Sequence, residues 1–300
     1  LDFLFQLGRE DGFLEGHKKT EGFFCEIRKK AVILQTGNYN FKKMISKSRI
    51  KYIHGLKMKK NRTQEGCFVA EGPKLVGDLM GHFNCRYLAA TAEWMQQHGG
   101  EVGSKHVEKD VVTQDELERI SFLKTPQEVL AIFDMRKENT DANELAQLPT
   151  HQLCLALDDV QDPGNVGTII RLADWFGIEH VFCSTGSADV YNPKTIQATM
   201  GALSRVQIHY VELPEFLQHA AGAPVYGTFL EGDNLYTTET KEYGIIVMGN
   251  EGNGISHAVE QEVTHKLHIP NYPPMRSTSE SLNVAVATAI ICAEFRRRSR

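Results

Sequence analysis

Apolar and polar positions alternate along this chain with two different periods, and the changes of period mark its elements. From Ser46 onward, Ile50, Ile53 and Leu56 recur every three residues with lysines between them, the pattern of a short basic amphipathic helix. Asn61-Arg62-Thr63 is expected to break it. The spacing then predicts a strand from Cys67 that ends in a turn, a helix from Pro73 to about Gly81, and a strand over 86–90. A helix over 93–97 and a strand over 107–112 follow. Thr113 and Glu116 form a capping box for a helix over 115–120, and 129–133 reads as a further strand. Short strands alternating with short helices indicate a small α/β layered domain over 44–136. Residues 137–150 are polar, lack a period and contain Pro149, so they are expected to be a linker.

Beyond the linker the alternation resumes. Strands are expected over 153–157, 180–183, 206–211, 225–229 and 245–248, with helices over 166–176, 193–203 and 215–220 between them. That order is the signature of a mainly parallel sheet covered on both faces, so 151–300 is expected to be a second α/β domain. Residues 1–43 mix glycine with short aromatic pairs and show no sustained period. They are expected to be an upstream extension with little order, a small appended element being the alternative.

Three stretches of the second domain carry candidate chemistry. The first is Leu157-Asp-Asp-Val-Gln-Asp-Pro-Gly-Asn165-Val-Gly-Thr-Ile-Ile-Arg171, in which Asn165 is expected to cap a helix. Arg171 follows among the apolar Val166, Ile169, Ile170 and Leu172, where a guanidinium needs a partner or a task. Asp174 and Glu251 are its candidate ion-pair partners. The second stretch is a buried strand running into Gly249-Asn-Glu251-Gly-Asn-Gly254. Its glycines follow G-x-x-G-x-G, not the G-x-G-x-x-G of dinucleotide sites, but a loop after a parallel strand is where ligands collect. The third is Ile269-Pro-Asn-Tyr-Pro-Pro-Met-Arg276-Ser-Thr-Ser-Glu-Ser281-Leu282-Asn283, a rigid loop followed by a helix of small residues. Ser281 is expected to open that helix, with a plain N-cap role as one reading, and Asn283 lies in its first turn.

These stretches, in this order, resemble the three motifs of the SpoU/TrmH branch of the SPOUT RNA methyltransferases. The resemblance covers roughly half the chain and implies a ribose 2′-O-methyltransferase that uses S-adenosyl-L-methionine. It further implies a C-terminal domain with a trefoil knot and a homodimer whose active sites border both subunits. Gly249, Ile269 and Leu282 match the cofactor-binding positions; ordinary core packing is the alternative for all three. Arg171, Asn165, Glu251, Ser281 and Asn283 match the active-site positions. Arg171 is expected to hold the target ribose and its phosphate, with Asn165 orienting it and Glu251 neutralising it. The domain over 44–136 is similar, less specifically, to the RNA-binding domains that many of these enzymes carry. Ribosomal RNA is expected ahead of transfer RNA. A catalytically idle RNA-binding or assembly factor of the same fold is the alternative, opposed by the intact motif residues. The stretch between Ile269 and Ser281 is longer than in the shortest members, so target choice does not carry over.

Composition refines this picture in two places. The net charge of −5 argues against nucleic acid, and 151–300 alone holds seventeen acids against ten bases. Yet Lys47, Arg49, Lys51, Lys57, Lys59, Lys60 and Arg62 all precede Glu65, the first acid after position 44, so a local basic stripe is the expected RNA surface. The six cysteines have no zinc-type spacing and suggest reduced thiols in the cytoplasm. His151, His257 and His265 are too far apart in the sequence to suggest a metal site. No apolar run approaches a membrane span of about 20 residues, and no metal is expected.

Overall fold

The computed structural model describes residues 45–100, 107–137, 141–220, 222–273 and 281–298; the expectation for 1–43 and most of the loop between Ile269 and Ser281 lie outside them. The first sheet is built from β1 (Cys67–Glu71), β2 (Cys85–Ala90), β3 (Glu108–Val111) and β4 (Val129–Asp134), in the order β1-β4-β2-β3. β4 pairs antiparallel with both β1 and β2, and β2 pairs parallel with β3. Around it lie α1 (Lys47–Gly55), α2 (Lys59–Glu65), α3 (Pro73–Leu79), α4 (Ala92–His98) and α5 (Gln114–Ile120). The capping box of α5 is complete, with Thr113 and Glu116 each accepting from the other's main chain.

Asn61-Arg62-Thr63 does not break the helical run as expected; α2 passes through it. The polar side chains serve the end of α1 instead. Asn61 donates to the Gly55 carbonyl at 2.8 Å, and Arg62 Nη1 donates to the carbonyls of Leu56 and Lys57 at 2.8 and 2.7 Å. Orphan carbonyls at a helix end need such donors. Arg62, 1% exposed, also ion-pairs with Asp189 of the second domain, so it is no part of an RNA-facing stripe.

The expected linker is also partly structured. Asp141 caps α6 (Ala142–Gln147), a 3₁₀ turn spans Leu148–Thr150, and Leu145 and Ala146 are buried. Six residues are too few for a helical period to show in the sequence.

The second sheet has six strands, β5 (Leu153–Leu157), β6 (His180–Ser184), β7 (Gln207–Val211), β8 (Val225–Asn234), β9 (Gly244–Met248) and β10 (His265–His268), in the order β10-β8-β9-β5-β6-β7. Every pairing is parallel. The helices are α7 (Pro163–Trp175), α8 (Pro193–Thr199), α9 (Leu213–His219), α10 (His257–Glu260) and α11 (Val284–Arg298). Strand alternation sends Leu155, Val181 and Ile246 into a core shared with α7, α8 and α11. Ala156, Phe182 and Val247 face the other way, toward α6, α9 and α10. Both faces are thus covered, as continuous apolar strands require. The helix expected over 193–203 stops at Thr199, because Met200 and Gly201 turn left-handed (φ 50° and 92°) before a 3₁₀ turn at Ala202–Ser204.

The two sheets share one apolar core, in which Phe68 of β1 lies 4.9 Å from the Tyr191 ring. Arg136 joins them further by donating to the carbonyls of Ser204 and Val206 at 2.9 and 3.0 Å. Strand order reverses at β5, whose neighbours are β9 and β6. The crevice at the carboxyl ends of these central strands is where open parallel sheets bind ligands.

Candidate active site

Two carboxyl-end loops meet in that crevice. At the end of β5, the buried Asp158 accepts from the Ser256 amide at 2.6 Å and draws in the chain that follows β9. In that second loop Asn250 and Gly254 form an antiparallel bridge. The Asn250 side chain donates to the Asp159 carbonyl at 2.7 Å and accepts from the amides of Gly252 and Asn253, each at 2.9 Å. A Cβ on Gly249 would stand 2.3 Å from the Gly254 carbonyl carbon and 2.4 Å from the Ile255 nitrogen. Glycine is therefore required at 249 by the loop's own backbone closure, a requirement invisible in the sequence.

The turn presents Glu251 to the start of α7. Its carboxylate accepts from Asn165 Nδ2 at 3.0 Å and from the amides of Gln161 and Asp162, each at 3.3 Å. Partial burial works against its charge, but these donors outweigh it and hold the carboxyl below its ordinary range. Asp162, not Asn165, caps α7; its Oδ1 accepts from the Asn165 amide at 3.0 Å. Lys194 Nζ lies 2.8 Å from Asp162 Oδ2, and that bond, with the Asn165 amide, lowers the Asp162 pKa. Freed from capping, the Asn165 side chain accepts on Oδ1 from Asn283 Nδ2 at 3.1 Å. Asn283 stands just outside α11 and caps it, its Oδ1 accepting from the amides of Ala285 and Val286 at 3.0 and 3.3 Å.

Glu251, Asn165 and Asn283 thus form one hydrogen-bonded chain that ties the three candidate stretches together. Arg171 is outside it. Six residues further along α7, about 9 Å by helical rise, it is exposed rather than buried, and takes no ion pair among the described residues. Its expected partners are engaged elsewhere: Asp174 forms a two-pronged pair with Arg205 at 2.8 Å, and Glu251 holds Asn165. The Asn165 side chain bonds Glu251 and Asn283, and among the described residues no hydrogen bond joins it to Arg171. Ser281 is exposed, and Asn283 takes the capping position foreseen for it. Leu282 is 48% exposed and Ile269 is partly buried against the core. Asp158, Asp162 and Asn250 were not singled out from the sequence; for Asn250 its place inside the Asn-Glu-Gly run was the available signal.

Residues 152–293 match the model of the SpoU rRNA Methylase family, and 47–131 match the MRM3-like substrate binding domain. The chain is 32% identical over 246 residues to the 23S rRNA (guanosine(2553)-2'-O)-methyltransferase RlmP of Bacillus subtilis, covering 80% of this chain and 93% of that protein. Among solved structures it is similar to a TrmH-family protein of Porphyromonas gingivalis, with 43% identity, 85% of this chain and 100% of that chain covered, and a TM-score of 0.75. The AdoMet-bound rRNA methyltransferase of Sinorhizobium meliloti is 28% identical, covers 85% of this chain and 96% of its own, and also gives a TM-score of 0.75. Motifs, strand order and these likenesses agree, and the chain belongs to the SpoU/TrmH family of RNA methyltransferases.

Proposed function

We propose that this protein transfers the methyl group of S-adenosyl-L-methionine to a ribose 2′-hydroxyl of structured RNA, with ribosomal RNA as its substrate. The observation that carries the reading is the Glu251–Asn165–Asn283 chain at the carboxyl ends of β5 and β9, in a family whose relatives are named as 23S rRNA 2′-O-methyltransferases. Gly249, Ile269 and Leu282 are the proposed cofactor contacts. Leu282 supports this, since it is a large apolar side chain held out in solvent one residue from Asn283, a place an adenine ring can cover.

The cofactor supplies an electrophilic methyl on a sulfonium. The protein's part is alignment and charge. Arg171 is proposed to bind the target ribose and adjacent phosphate and to stabilise the oxygen as its proton passes to solvent water. Its guanidinium acts there as a cation and not as the proton acceptor. Glu251, held ionised by three donors, is likewise a fixed anion; it sets the Asn165 amide, which in turn places Asn283. Ser281, exposed beside them, is a proposed hydrogen-bond partner for the substrate.

The finer reading includes a homodimer, a knotted C-terminal domain and a cytoplasmic location. Trp175 on α7 is 80% exposed and Val286 on α11 is 50% exposed, on two helices that pack together, which favours a second copy covering them. Ile291 of α11 is fully buried within the subunit, whereas its neighbour Ile290 is only partly buried against the core. Among the described residues five buried cysteines are free, and burial pushes the Cys154 and Cys183 thiols up to about 12. No helix among the described residues is long and apolar enough to cross a membrane. The test is to incubate the protein with S-adenosyl-L-methionine and unmodified ribosomal RNA and analyse the digested nucleosides by mass. A 2′-O-methylnucleoside is expected; a base-methylated product or none contradicts the reading.

A further inference from the structure

Between the two sheets opens a cleft of about 600 Å³ that the chemistry above does not use. One wall comes from the first domain, with Phe122 and Leu123 as its apolar surface and Lys57 and Glu71 as its polar groups. The facing wall is α8, through Lys194 and Gln197, and the start of α7 at Gly164. Gly164 precedes Asn165 in the chain, so the cleft and the Glu251–Asn165–Asn283 chain share one end of α7.

Its chemistry is that of a single unstacked nucleotide. Phe122 is partly exposed and carries Lys57 Nζ 4.8 Å over its ring. Lys57 is an exposed, flexible side chain, so a splayed-out RNA base can take its place on the aromatic face while the ammonium moves to the phosphate. Glu71 is 5% exposed and points both oxygens into this wall, where the Ser121 hydroxyl and the Phe122 amide donate to them. A carboxylate has about four acceptor sites, so capacity remains for a base amino or imino group. Burial raises the Glu71 pKa, against the pull of those two donors. Opposite, the Gln197 side chain makes no hydrogen bond among the described residues and can serve either as donor or acceptor. Lys57 and Lys194 are the cations at hand for a phosphate, Lys194 being fixed by Asp162 at 2.8 Å. The volume is within the ~300–1,000 Å³ typical of pockets for single ligands, too small for a helix.

We propose that this cleft holds the base of one nucleotide of the substrate RNA, stacked on Phe122 and read by Glu71 and Gln197, with its phosphate on Lys57 and Lys194. The inference rests on the methyltransferase reading and extends it: the two domains together would select which nucleotide reaches the site. The cleft reaches Gly164, the residue before Asn165, so a base seated here lies beside the start of α7.

The test uses the full chain and a fragment of 23S ribosomal RNA carrying 4-thiouridine in place of uridine. Photocrosslinks mapped by mass are expected on the peptides holding Phe122–Leu123 and 192–198. In steady-state methylation Phe122→Ala should raise the KM for RNA about tenfold, the loss of one stacked base, with S-adenosyl-L-methionine affinity unchanged. Phe122→Trp should restore it. Gln197→Trp fills the cleft from the opposite wall without touching Glu71 and should raise the same KM. Crosslinks confined to other surfaces, or both Phe122→Ala and Gln197→Trp within twofold of wild type, would overturn the proposal. A wild type that crosslinks in the cleft yet transfers no methyl group would support the cleft and defeat the methyltransferase reading instead.

Discussion

The side-chain amide of Asn283 donates to Oδ1 of Asn165 at 3.1 Å, across 118 residues of sequence. Asn165 uses the other end of the same planar group on Glu251, at 3.0 Å. A single amide thereby fixes the start of α7, the loop after β9 and the start of α11 in one arrangement. Asn165→Asp keeps the acceptor for Asn283 but replaces the donor to Glu251 with a second carboxylate. A hydrogen bond to a charged group is worth about 1.5–3 kcal/mol, so methyl transfer should fall by about 10- to 100-fold. Steady-state kcat, with cofactor affinity measured in parallel by calorimetry, checks this. Activity within twofold would mean that the amide is only structural.

Gly249→Ala tests the loop itself. The added methyl has no room between Gly254 and Ile255, both met through backbone atoms that cannot swing aside. Overpacking of this kind costs about 1–3 kcal/mol, and the strain falls on the turn that presents Glu251. A lowered melting temperature together with at least tenfold weaker S-adenosyl-L-methionine binding is expected. Full affinity would detach position 249 from the cofactor.

The charge prediction separates lysines from Arg62. Lys51, Lys57, Lys59 and Lys60 are exposed on α1, on α2 and in the turn between them. Neutralising them should weaken RNA binding and flatten its salt dependence, by roughly 0.7–0.9 in slope for each phosphate no longer neutralised. Arg62→Ala should instead destabilise the fold by about 3–5 kcal/mol, because it strands Asp189 and the carbonyls of Leu56 and Lys57. Salt titration of binding and chemical denaturation distinguish the two. Arg296 and Arg298 are engaged within the subunit: Arg296 donates to the carbonyls of Phe176 and Gly177, and Arg298 to that of Leu235, while Arg297 and Arg298 pull the Glu294 pKa down to about 2.

The proposed pairing of two copies is tested at its exposed apolar residues. Trp175→Asp and Val286→Asp leave the core untouched and should yield monomers in light scattering, with methylation reduced at least tenfold if both subunits border the site. Wild-type protein that is monomeric at micromolar concentration and fully active would remove the dimer from the account.

Elements with a strong period or a local capping signature were legible from the sequence. The central strands β5, β6 and β9 read as apolar runs because they are buried on both faces, and the Thr113–Glu116 box lies within four residues. Misreadings occurred where a distant partner decides a residue's task. Asn61 and Arg62 read as breakers because their acceptors, the carbonyls ending α1, are visible only in three dimensions. Asn165 read as a cap since nothing nearby said that Asp162 would take that place and leave its amide free. The motif residues could be named from their resemblance, but the direction of their hydrogen bonds could not. Arg171 shows this most clearly: its apolar neighbours in sequence suggested burial, whereas the helix turns its side chain outward.

That exposure bears on the central claim, that the group methylated is a ribose hydroxyl held at Arg171. The direct measurement is methyl transfer from isotopically labelled S-adenosyl-L-methionine to a ribosomal RNA fragment whose accepting nucleotide has been mapped. That nucleotide is presented either as ribose or as its 2′-deoxy analogue, to wild type and to Arg171→Ala. The account predicts label on the ribose substrate with wild type only, none on the deoxy analogue, and unchanged cofactor binding by the variant. Label on the deoxy analogue, or transfer by Arg171→Ala within a few-fold of wild type, would contradict it.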